Sequence, residues 1–73
     1  MRSDYKAGDL FDKETLTWIR EHDEMCPFCK KGYLCEGPHG GLSINFRCNH
    51  CFSRVNMTPA YVEVLEIGNI RCT

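Results

Sequence analysis

The sequence predicts a small zinc-stabilised α+β domain: an N-terminal helix, a β-hairpin with a third strand, and a short C-terminal helix or strand. Three observations lead to it. The chain has 73 residues, room for one domain with a thin core, and chains this short often need a staple beyond hydrophobic burial. Two Cys-x-x-Cys pairs, Cys26/Cys29 and Cys48/Cys51, are separated by eighteen residues. A segment of helical period near the start gives way, between the cysteine pairs, to one of period two.

Residues 1–25 read as an acidic leader followed by a helix. Met1 to Asp9 is polar and reads as solvated, with Gly8 and Asp9 as a break. Asp12 suits a helix cap, and the helix runs from Lys13 to about His22. Thr15, Leu16, Ile19 and His22 line one side, and Phe11 is placed to staple against Leu16. Trp18 falls beside that stripe, where it either widens the apolar face or is offered to a partner. Pro27 prevents the helix from continuing far past Glu24.

Residues 26–57 carry the cysteine pairs and the strands. Tyr33 to Glu36 reads as a short strand and Gly37-Pro38-His39-Gly40-Gly41 as the turn after it. Leu42 to Arg47 alternates, with Leu42, Ile44 and Phe46 on one face and Ser43, Asn45 and Arg47 on the other. Phe52 to Met57 is a third strand. In residues 58–73, Thr58-Pro59 is a good helix start and Gly68 a good stop. The β-branched residues of Tyr61 to Ile67 also fit a strand; the cap and proline favour a short helix.

Charge and compartment narrow the function classes. The formal net charge is −1, and falls near −3 once four thiolates and a divalent ion are counted. Met1 to Met25 holds seven acids against four bases, whereas Cys26 to Thr58 holds Lys30, Lys31, Arg47 and Arg54 against Glu36 alone. Such a balance disfavours generic binding to duplex phosphate. Met1 to Leu10 has no apolar run of the signal-peptide kind, and no stretch reaches the roughly 18 to 20 apolar residues of a membrane span. The expectation is a reducing, cytoplasmic setting, where paired cysteines bind metal or do redox work more often than they form bridges.

The spacing Cys26-Pro27-Phe28-Cys29 … Cys48-Asn49-His50-Cys51 suits a tetrahedral four-thiolate site for one structural Zn2+. Thiolate tetrahedra also accept iron, the minor alternative. A thioredoxin-like redox pair needs a βαβ setting that neither pair has. A closed four-thiolate site keeps no position for substrate, so the expectation is a non-enzymatic protein.

Over roughly Met25 to Asn56 these residues resemble the zinc-ribbon superfamily, through the two cysteine pairs and the hairpin between them. More narrowly, Glu36-Gly37-Pro38-His39-Gly40-Gly41 with Asn45, the second cysteine pair and Val55-Asn56 resembles small, poorly characterised zinc-ribbon proteins of bacteria and their phages. Ribbons of the superfamily often carry glycine directly after each second cysteine; Lys30 and Phe52 stand there in this chain, with Gly32 displaced by two. The resemblance implies binding to proteins or nucleic acid, often within transcription and translation machinery, but a fold decides no function alone.

The expected function is an interaction module that binds and modulates a protein partner in a transcription or other nucleic-acid-processing complex. Its contact candidates are Trp18, Lys30, Lys31, His39, Arg47 and Arg54, with the acidic arm and the ribbon tip. The alternative is direct binding of single-stranded nucleic acid by the basic face with Tyr33, His39 and Phe52; a thiol-redox or electron-transfer role is third. Cys35 reads as an inert thiol and Cys72, next to the end, as unassigned. The sequence does not fix the oligomeric state.

Overall fold

The computed structural model describes residues 4–69. The order is α1 (Lys13–Glu21), β1 (Leu34–Gly40), β2 (Ser43–Cys48), β3 (Arg54–Met57) and β4 (Val62–Glu66). The strands form one antiparallel sheet in sequence order.

Helix α1 begins just after Asp12, whose backbone is extended and whose carboxylate accepts the Thr15 N–H at 2.8 Å, satisfying one of the first-turn donors. It ends at His22, whose N–H returns to the Trp18 and Ile19 carbonyls. Asp23 and Glu24 then turn left-handed, with φ of 56° and 65°, so Glu24 and Met25 leave the helix axis and pass beside β1. There Glu24 accepts the Leu34 N–H at 2.9 Å.

The expected solvated leader is docked in part: Asp4, Lys6, Ala7 and Gly8 are exposed, whereas Tyr5 is not. Tyr5 is only 6% exposed; its ring meets Phe11 edge-on at 4.9 Å and Phe28 at 6.2 Å. Its hydroxyl lies 2.7 Å from that of Thr15, the buried polar residue of α1. Gly8 to Phe11 run along β4, bonding the N–H groups of Gly8 and Phe11 to the Val64 and Val62 carbonyls and the Val64 N–H to Asp9. A polar segment with one large aromatic is thus drawn in because it covers an edge strand and fills the core at once.

The hairpin also departs from expectation. Strand β1 continues through Gly37 and Pro38 to Gly40, with a register shift between Glu36 and His39, and the reversal is Gly41-Leu42. Pro38 is tolerated because β1 is an edge strand, where a missing N–H breaks no ladder. Gly41 supplies the left-handed φ of 65°. Leu42 therefore sits on the turn, 85% exposed, rather than on the strand face with Ile44 and Phe46. Strand β3 begins at Arg54, because Phe52 is still in the turn after the second cysteine pair at φ 65°.

The C-terminal element is a strand, β4, and not a helix. Thr58 and Pro59 start a turn: the Thr58 hydroxyl accepts the N–H groups of Ala60 and Tyr61, and its own N–H reaches the Tyr61 carbonyl. The chemistry that caps helices also closes turns, and the alternating burial of Val62 and Val64 settles which it is. Gly68 is required not as a helix stop but by close approach, since a side chain there would run into the Cys51 carbonyl.

One core of Tyr5, Phe11, Val55, Val62 and Val64 lies on one face of the sheet, with Leu16, Ile19, Phe28, Phe46 and Ile67 packed against it. Phe28 also packs against a second cluster made of the cysteines, so its ring joins the two. Among the described residues no helix is long and apolar enough to cross a membrane.

Replacing Tyr5 with Ala tests the docked leader. The expected loss is about 3 kcal/mol, as for other buried aromatics, read from the urea midpoint of the metal-loaded protein. A midpoint unchanged from wild type returns the leader to solvent.

Candidate metal centre

Both cysteine pairs form tight turns that face each other across the start of β1 and the end of β2. In the first, Lys30 N–H returns to the Cys26 carbonyl and Cys26 N–H to the Gly32 carbonyl. In the second, Cys48 N–H bonds the Ser53 carbonyl. Asn49 laces them together: its N–H donates to the Tyr33 carbonyl and its Oδ1 accepts the Tyr33 N–H, each at 3.0 Å. Gly32 lies where the turns touch; a Cβ there would strike the Cys48 sulfur and the Asn49 and His50 side chains. That is the reason glycine stands three places beyond Cys29.

The sulfurs fit a metal ion. A thiolate tetrahedron with metal–sulfur bonds of about 2.3 Å has edges of about 3.8 Å. Cys26 and Cys51 are 3.7 Å apart, Cys29 and Cys48 3.6 Å, and all four sulfurs lie within 4.8 Å of one another. The cluster consists of cysteines alone, with His50 outside it. The set can therefore hold one metal ion with thiolate donors from both turns.

The surroundings prepare the sulfurs unequally. Burial pushes the Cys26 thiol up, against the N–H groups of Cys29 and Phe28. Burial also raises Cys51, against the hydroxyl and N–H of Ser53. At Cys29 burial again raises the value, but the N–H groups of Gly32 and Lys31 and the Cys48 thiol outweigh it and hold it at about 6. The Cys48 sulfur accepts N–H bonds from His50 and Cys51 at 3.3 and 3.4 Å. A bound cation displaces the thiol protons and takes over the neutralising role.

Ser53 was not legible as part of this centre. It is fully buried, its hydroxyl 3.1 Å from the Cys51 sulfur and accepting the Gly68 N–H at 2.7 Å. With Cys51 as thiolate, the Ser53 O–H donates to sulfur while its oxygen accepts the hydrogen bond from the Gly68 N–H. Only the return of the chain after β4 completes that relay, and no spacing in the sequence announces it.

Lys30 and Phe52, which follow the second cysteine of each pair, both have left-handed backbones, φ 57° and 65°. For residues with a side chain that conformation costs about 1–2 kcal/mol. The turns thus demand the backbone that glycine adopts freely, and this chain forms them with a cation and an aromatic.

The contact candidates are dispersed. Trp18 is half-buried on α1 and stacks on His22, ring centroids 4.3 Å apart. Lys30 and Lys31 are exposed on the first turn. His39 lies near the hairpin tip, 3.1 Å from Glu36. Only Arg47 and Arg54 are brought together, as direct cross-strand partners. Cys35 is exposed on β1; Cys72 lies outside the described residues. Comparison with protein-family models, characterised proteins and solved structures yields no match.

Replacing Ser53 with Ala removes the hydroxyl from sulfur and strands the Gly68 N–H. Metal affinity, measured by chelator competition, is expected to fall about tenfold, the usual effect of losing a partner to a ligand. An unchanged affinity means the serine only fills space.

Proposed function

We propose that the chain is a non-enzymatic zinc-ribbon module that binds and modulates a protein partner within a transcription or other nucleic-acid-processing complex. The metal is a single structural zinc. Four thiolates complete its tetrahedron, which leaves no position for water or substrate and makes the ion an organiser of the fold. A zinc preparation is colourless, with one zinc per chain; a coloured iron form favours the electron-transfer alternative.

The observation that carries the partner reading is Leu42. A two-residue turn holds it at the tip of the β1–β2 hairpin, 85% exposed. Single exposed leucines are ordinary on protein surfaces. This one crowns a narrow projection whose base is fixed by the metal, a shape suited to entering a crevice in another protein. Burying a leucine side chain is worth about 1.5–3 kcal/mol, enough to make it an anchor of the contact.

The test is affinity capture on tagged, zinc-loaded wild type and on Leu42→Ser, with and without nuclease. A defined protein retained by wild type in both arms, and lost on L42S, is the expected result. Retention that vanishes with nuclease, or is indifferent to Leu42, overturns this reading. Leu42 touches neither the core nor the metal, so L42S is expected to unfold at the wild-type temperature.

A further inference from the structure

The sheet face opposite the core concentrates several energetically unfavourable choices at one place. Arg47 on β2 and Arg54 on β3 are register partners, so both side chains leave the same face. Like charges placed directly opposite destabilise a sheet. Cys35 pairs with Arg47 on one side and Glu66 with Arg54 on the other, which makes one row across all four strands. Next to it runs a second row, Asn45–Asn56–Glu63. Phe52 stands beside the arginines, 57% exposed, with the Arg47 guanidinium 5.8 Å from its ring centroid. Its backbone is in the left-handed region.

The arginines form a ridge between two open depressions. One, about 450 Å³, is lined by Phe52, Glu66, Gly68 and Asn69. The other, about 350 Å³, is lined by Gly37, Pro38 and Asn45. Arg47 and Arg54 border both.

We propose that this face binds a single-stranded nucleic acid, with a base stacked on Phe52, the phosphates over Arg47 and Arg54, and the neighbouring base in the depression at Asn45. An exposed aromatic accepts the π-face of any base, guanidinium groups pair with phosphate, and asparagine amides offer both donor and acceptor to base edges. A duplex keeps its base faces stacked inside, so it offers Phe52 nothing to stack on, and its dense phosphate charge is poorly matched by this −1 chain. Stacking and phosphate pairing are indifferent to the 2′-hydroxyl, so DNA and RNA strands bind alike. Glu66, 3.0 Å from Arg54 and more than half exposed, holds that guanidinium until a phosphate replaces it; an exposed pair of this kind is weak enough to exchange.

The proposal is independent of the Leu42 contact and is tested apart from it. Fluorescence anisotropy compares short mixed-sequence DNA and RNA single strands with a duplex, on zinc-loaded protein. Expected are binding to both single strands, weaker binding to duplex, and a log–log salt slope of about −1.4 for two phosphates. Phe52→Gly releases the left-handed backbone, so the fold survives, while affinity falls about tenfold or more. Arg47→Gln removes about 0.7 from the slope, Glu66→Gln tightens binding, and Leu42→Ser changes nothing. No binding to single strands at low salt, equal or tighter binding to duplex, or full affinity in a folded F52G overturns the proposal.

Discussion

Four sulfurs drawn from two short turns, with eighteen residues between them, converge to within 4.8 Å of one another, and most of the molecule is arranged around that convergence. The first turn leads into β1 and the second leaves β2, so closing the metal cluster sets where the hairpin begins. The sulfurs are themselves a core: three of the four are fully buried, and Leu34 and Phe28 pack on them. Phe28 lies between the cysteines of its pair and touches Tyr5 and Phe11 as well. One ring therefore couples the metal centre to the apolar core that holds α1, the leader and β4. Removing the ion would leave four adjacent thiols whose burial favours neutrality at Cys26 and Cys51 but whose N–H bonds favour charge at Cys29, an arrangement matched to a cation and to little else.

The second constraint is backbone geometry. Each metal turn needs a left-handed residue after its second cysteine, and two backbone approaches are too close for a side chain, at Gly32 and Gly68. Glycine meets the close approaches, whereas Lys30 and Phe52 take the strained positions. The protein thus keeps glycine where space forbids anything else and accepts conformational cost where a side chain is retained at the surface. A metal ion held by the four sulfurs would fix both turns from inside and so offset that cost.

Some of this was readable in the residues themselves. The cysteine cluster was legible because its spacing is a local signal: two residues between cysteines let both sulfurs of a pair face one point. The cap at Asp12 and the alternation from Ser43 to Arg47 are local in the same sense. Turn chemistry misled where one local signal serves two structures. Thr58-Pro59 starts helices and turns alike, and Gly37-Pro38 reads as a reversal although an edge strand passes through it. The leader misled for another reason: a mostly polar segment offers no periodicity, and its single Tyr5 finds burial only because Phe11, Thr15 and Phe28 come together around it.

What the sequence determined alone was the pairing of four candidate thiolate donors and the presence of a helix signal followed by strands, since each rests on residues near one another in the chain. Tertiary structure decided the rest: that Val62–Glu66 returns as β4, that Ser53 and Gly68 close behind Cys51, that Leu42 projects from the tip, and that Arg47 and Arg54 stand side by side next to Phe52. Each depends on how the strands pair and which faces are covered rather than on a residue's type and immediate neighbours alone. Such relations are set by which faces must be buried together and by strand register, in which a slip of one residue exchanges the two faces of a strand.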